Sequence, residues 1–241
     1  MLKLYSACLT LFLLSLTAYG QNSLTLSTHA IHSNVEVSNN WSPPTAVHRK
    51  NQFDGTALRY GADLKYSFRP AFLIRDPRVR LTVGAGYFKQ RFDLERPFNY
   101  ASPLEPIFYT DQYSYHCWQW EVGLAYNYPL SKSYSLSGNL SYGGQESFRQ
   151  EYTPTSNHGY GNLTQTEYEK LDFGNMAKLE VGISRNLGSR LSLGVHAVVP
   201  LYTRWRNDEI FGDDPSEFSR PKFSIGSALS ITYHLKKNHQ P

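Results

Sequence analysis

Apolar and small polar side chains alternate along most of this chain. Between Ser133 and Gln145, Tyr134, Leu136, Gly138, Leu140 and Tyr142 share one face, and Ser, Asn, Gly and Gln fill the other. Period two is the signature of a β-strand. The pattern returns in eight segments: Ser23–Val37, Ala57–Phe68, Val79–Phe92, Tyr113–Tyr128, Ser133–Gln145, Asn175–Leu187, Leu191–Arg206 and Phe223–Leu235. The fourth carries Trp118, Trp120, Val122, Leu124, Tyr126 and Tyr128 against Gln119, Glu121, Gly123, Ala125 and Asn127.

The connectors alternate as regularly as the residues. Pro129–Lys132 and Gly188–Arg190 are tight, and Arg69–Arg78 is moderate. Ser38–Thr56, Asp93–Gln112, Arg149–Gly174 and Asn207–Lys222 are long and polar. Strands joined by alternating short turns and long loops are the pattern of transmembrane barrels, which are apolar outside and polar inside. The fold expected is all-β, an eight-stranded antiparallel up-and-down transmembrane barrel.

The ends sharpen this picture. Lys3, the apolar run Ala7–Leu16 and the small residues Ala18 and Gly20 form a signal peptide, with cleavage expected between Gly20 and Gln21. Residues 1–20 are then the signal and 21–241 one barrel domain. Export and the mild net charge of +4, with no Lys/Arg run, exclude a nucleic-acid partner. Of two cysteines, Cys8 leaves with the signal and Cys117 remains alone, which excludes a disulfide scaffold. No segment reaches the ~18 consecutive apolar residues of a membrane helix. Aromatic residues make up 15 %, with 18 Tyr. Interfacial belts account for such a content, and Trp118, Trp120, Tyr126, Tyr128 and Tyr233 are the candidates.

If the apolar faces meet lipid, the opposite faces line the lumen. That sends Arg59, Asp63, Lys65, Arg80, Glu121, Lys178 and Glu180 inward, together with Gln119, Asn127, Asn139, Ser184 and His196. An eight-stranded barrel is just wide enough for side chains to fill. Charges enclosed there must pair, because an isolated buried charge is costly. The expectation is a plugged barrel with an internal charge network. The competing reading leaves Arg59, Lys65 and Arg80 solvated at a barrel mouth. Inward glycines at 84, 86, 123, 182, 194 and 226 leave space for such bulky neighbours.

The signal peptide, the hairpin repeat and the closing strand Phe223–Leu235 resemble the small bacterial outer-membrane β-barrel proteins. That class includes the OmpA transmembrane domain, OmpX and OmpW-like proteins, and the resemblance spans the whole mature chain. It implies location in the bacterial outer membrane, contact with outer-membrane lipid and lipopolysaccharide, and insertion by the barrel-assembly machinery. In that class the last strand ends in an aromatic recognition signal. Tyr233 matches it, although Lys236–Pro241 follow. The roles implied are structural, adhesive or surface-interacting, with small-solute passage as the alternative. The resemblance names no external partner.

Catalytic motifs are sparse. Gly84-Ala85-Gly86 lacks the third glycine and helix of a dinucleotide loop. His29 and His32 lack a zinc-binding pattern and read as surface residues. No cofactor is implied. Some eight-stranded barrels deacylate lipid A with a His and a Ser two residues apart on a lipid-facing strand. Ser114 and His116 are a partial match in reversed order, and His32-Ser33 is another echo. His could act as base to the Ser hydroxyl. A soluble lipocalin-like barrel, with Leu136, Leu140, Leu193 and Val195 turned inward, is the remaining class. The paired aromatic positions around Val122 and Leu124 argue against it.

Overall fold

The computed structural model describes residues 22–39, 51–70, 74–98, 107–156, 165–167, 171–205 and 220–235. The expected signal peptide, the loop tips and the residues after Leu235 lie outside these.

Among the described residues nine strands form: β1 (Ser23–Asn39), β2 (Asn51–Phe68), β3 (Val79–Phe98), β4 (Ile107–Pro129), β5 (Tyr134–Ser156), β6 (Gln165–Glu167), β7 (Leu171–Asn186), β8 (Leu191–Trp205) and β9 (Arg220–His234). Eight of them close a barrel in which every pairing is antiparallel. β1 to β5 pair in sequence, as do β7 to β9, β5 pairs with β7, and β9 returns to β1 through Ser23↔His234 to Glu36↔Arg220. The short β6 adds to the outer part of β5 through Gln150↔Glu167 to Tyr152↔Gln165. Closure pairs the first strand with the last, as lipid demands of a β protein, while the β8–β9 ladder runs from Leu191↔Tyr233 to Val198↔Gly226.

The tight turns form as expected. Ser131 Oγ accepts from the backbone N–H groups of Ser133 and Tyr134 at 3.2 and 3.1 Å. Gly188 takes a positive φ of 108°, which suits a glycine, and Leu187 N donates to Leu191 O at 2.7 Å. Closure is completed at this end by Leu235 N donating to Asn22 O at 2.9 Å.

Two features differ from the expectation. The strands are longer on the loop side: β3 reaches Phe98, β4 begins at Ile107, and β5 runs to Ser156. Pairing there extends to Phe98↔Ile107 and Tyr109↔Ser156. Above a membrane both faces of a hairpin meet water, so backbone pairing persists where apolar alternation has ended. The strands also carry bulges. Cys117 pairs with Ser147 but His116 pairs with Arg149, so Phe148 is an extra residue and both Phe148 and Arg149 lean outward. In β8 the extra residue is Leu201, and Leu201 and Tyr202 are both exposed. A bulge shifts parity by one and redirects every side chain beyond it.

Candidate functional site: a layered lumen and an apolar wall

The inward face is built in three layers. Toward the loop end, Val35, Ala57, Phe88, Phe92, Tyr113, Tyr115 and Cys117 form a buried apolar cluster, with Tyr152 packed on it. Phe92 and Tyr115 meet edge to face at 6.0 Å, and Tyr113 and Tyr152 stack at 4.8 Å. Ile31, Val198 and Ala228 make a second small cluster. The lumen was expected to be polar throughout. Phe88 and Phe92 share parity with Arg80, and Tyr113, Tyr115 and Cys117 share parity with Glu121, so extending the alternation would have placed them inside.

The middle layer holds the charges. Lys65 Nζ lies 2.7 Å from Glu180, 3.1 Å from Glu121 and 3.5 Å from Asp63. Lys178 Nζ lies 2.9 Å from both Glu121 and Glu180. Asp63 also meets His29 Nδ1 at 3.2 Å. His29 is buried among these groups rather than on the surface, because β1 turns it inward with Ser27 and Ser33. Arg59 links this layer to the apolar one. Its guanidinium sits 3.5 Å above the Phe88 ring and donates through Nη2 to Gln119 Oε1. Arg59, Lys65 and Lys178 balance Asp63, Glu121 and Glu180, and all six are buried.

Glycine makes this density possible. A Cβ on Gly84 would stand 3.1 Å from Lys65 Cγ and 3.2 Å from Glu121 Cγ. A larger residue would push the two chains apart at the centre of the charge layer.

The third layer, toward the tight turns, is a chamber of about 420 Å³. Arg80 lies on its wall and is buried, donating to Ser23 Oγ at 3.4 Å. Hydroxyls and amides dominate the lining, with His196 bonded to Ser230 Oγ at 2.9 Å and His234 to Ser192 Oγ at 2.8 Å.

The outward face is the inverse. Trp118 is 58 % exposed and Trp120 52 %, and Val122, Leu124, Tyr126 and Tyr128 continue the row. Leu136, Leu140, Val181, Ile183, Leu193, Val195, Leu229, Ile231 and Tyr233 surround the rest of the wall. From Trp118 to Tyr128 is ten residues. At about 3.4 Å per residue and a tilt near 40° this spans about 26 Å. An outer-membrane barrel carries an apolar band about 25 Å tall between aromatic girdles. The chain is a barrel of the outer-membrane type. A lipocalin-like inversion is overturned by the same face: Leu136, Leu140, Leu193 and Val195 are exposed, not internal.

Ser114 and His116 lie on β4 beyond Trp118, on the outward parity. Ser114 is buried between its neighbours Arg91 and Glu151. The His116 ring engages other groups: Nδ1 meets Tyr87 Oη at 2.6 Å, and Nε2 stands 3.8 Å from Glu151. Lys89 approaches Glu151 at 3.4 Å. The Phe148 bulge brings Arg149 and Glu151 to this side, which alternation alone could not foretell.

No family model matches the sequence, and no curated protein matches it. Solved structures of similar fold include Neisserial surface protein A, at 11 % identity, with 88 % of this chain and 97 % of that one covered and a TM-score of 0.38. The outer membrane protein OprG from Pseudomonas aeruginosa gives 9 %, 90 % and 97 %, and 0.49. The outer membrane protease OmpT from Escherichia coli gives 11 %, 90 % and 97 %, and 0.44.

Proposed function

We propose that this protein is a bacterial outer-membrane barrel with both termini in the periplasm, acting through its four long loops at the cell surface. The role is structural, adhesive or surface-interacting, and the lumen does not conduct. The observation that carries this reading is the filled lumen. An aromatic layer and a charge layer lie in series above the chamber, and a hydrated ion would have to displace both. Lipid and lipopolysaccharide surround the apolar wall, and the barrel-assembly machinery inserts it. Planar-bilayer recording of the folded protein tests the closed lumen: silence is expected, and steady conductance would refute it. Protease applied to intact cells tests the orientation, with cleavage confined to residues 38–56, 93–112, 149–174 and 207–222.

Passage of small solutes is the second reading, favoured by the chamber that already occupies one end of the lumen. It requires the charge layer to open, so the same recording decides between the two.

A further inference from the structure

The turn end of the barrel carries a charge pattern that neither the wall nor the lumen explains. Among the described residues 74–79, 129–134 and 185–191 there are five basic side chains, Arg75, Arg78, Lys132, Arg185 and Arg190, and one carboxylate, Asp76. All five basic side chains are exposed. The opposite end differs: the connector 207–222 alone carries Asp208, Glu209, Asp213, Asp214 and Glu217. Three of the arginines are seated on tyrosines at the edge of the apolar wall, and the register puts each beside its ring. Arg185 is the cross-strand partner of Tyr134, and its guanidinium lies 5.9 Å from that ring. Arg78 precedes Val79, the partner of Tyr126, and lies 5.6 Å from the Tyr126 ring. Arg190 precedes Leu191, the partner of Tyr233, and donates to Tyr233 Oη at 3.2 Å. A cation within about 6 Å of a ring is attracted to its face. The three rings are exposed with the rest of the wall, so the guanidinium groups are held at the level where the apolar surface ends.

We propose that this basic collar binds the phosphate headgroups of anionic phospholipid in the leaflet at the turn end. The inference rests on the wall lying in a membrane, as proposed above, but not on which compartment the turns face. A guanidinium suits a phosphate because its planar fork donates two parallel N–H bonds. It carries five N–H donors in all, so seating it on a tyrosine does not exhaust it. The collar suits a lipid better than a free anion because apolar surface continues directly from it. On β7, Val181 and Ile183 share the outward face of Arg185 and are exposed, so an acyl chain can lie along them while its phosphate meets the arginine. Asp76 is engaged by Arg78 at 2.9 Å, which leaves Lys132, Arg185 and Arg190 to carry most of the preference. An excess of positive charge at this level selects an anionic headgroup over a zwitterionic one.

The test is electron spin resonance of the mature chain folded into phosphatidylcholine vesicles that contain spin-labelled phosphatidylglycerol or spin-labelled phosphatidylcholine. The spectrum gives the fraction of label immobilised at the barrel. Phosphatidylglycerol is expected to be favoured about threefold, less than the roughly fivefold that one engaged basic residue supplies, because most boundary positions lie away from the collar. Salt near 1 M should abolish the preference, since screening then acts within ~3 Å. The triple variant Lys132→Gln/Arg185→Gln/Arg190→Gln should insert normally and bring the ratio close to one. Should it fail to insert, Arg185→Gln alone decides, with a fall from about threefold to about twofold supporting the site. Excess inorganic phosphate at matched ionic strength should leave the ratio unchanged. Its loss there would make the collar a site for the free anion and overturn the lipid as its occupant. Equal immobilisation of the two lipids overturns the proposal, as does a preference that survives in the inserted variants. An inserted barrel without preference removes this inference alone, whereas a chain that does not insert removes the membrane reading with it.

Discussion

Lys65 is the residue on which the charge layer depends most. Its ammonium stands within 3.5 Å of three carboxylates, those of Glu180, Glu121 and Asp63. Replacing it with Met keeps the length and removes the charge. Lys178 then faces Glu121 and Glu180 without its neighbouring cation, and Asp63 keeps its contact with His29. Breaking a buried pair by removing one partner costs about 3–5 kcal/mol. Lys65 and Glu180 also border the chamber, where water can approach, so the lower end of that range applies. About 3 kcal/mol is a shift of roughly 150-fold in the folding equilibrium. Urea unfolding of the barrel refolded into vesicles measures this, with Trp fluorescence and the mobility of unheated samples as independent probes. The double variant Lys65→Met/Glu180→Gln restores the charge balance and should recover more than half of the loss. A loss below about 1 kcal/mol for Lys65→Met, or no recovery in the double variant, would refute the enclosed network and favour independently hydrated groups.

Three further outcomes are expected. Phe88→Ala should cost about 3–5 kcal/mol in the same unfolding assay, because it empties the centre of the apolar layer and removes the ring beneath Arg59. Gly84→Val should cost about 1–3 kcal/mol by overpacking against Lys65 and Glu121, while a change to Val at the exposed turn residue Lys132 should cost far less. In the turn outside the wall, hydrogen bonds from Arg78 hold the Asp76 carboxyl below its usual range. Its favourable interaction is present above the unfolded carboxylate pKa and lost as pH falls through the depressed folded value. An NMR titration should show the low midpoint, and Arg78→Ala should raise it.

Much of this barrel is legible in the alternation, and the reason is physical. A wall between lipid and a narrow lumen imposes opposite demands on successive residues, so Trp118 to Tyr128 announce their faces directly. The turns at Ser131 and Gly188 are local and equally readable. What the alternation cannot convey is distance across the lumen. Lys65 and Glu180 are 115 residues apart, and only barrel closure makes them neighbours. Nor does it convey bulges. Phe148 and Leu201 each insert one residue, and side chains beyond them change faces without any local mark in composition. The aromatic layer was readable in parity, but Phe88 and Tyr115 look like wall residues when hydrophobicity alone is taken to mean lipid.

The length of the outer strands matters to anything that meets this protein from outside. β4 continues eleven residues past Trp118, to Ile107. With the same rise and tilt, that lifts its end about 29 Å above the aromatic girdle. Pairing persists to this height through Phe98↔Ile107, so the β3–β4 hairpin forms a crest of paired strands. Such a crest gives the protein vertical reach. A visiting molecule can be met well clear of the bilayer.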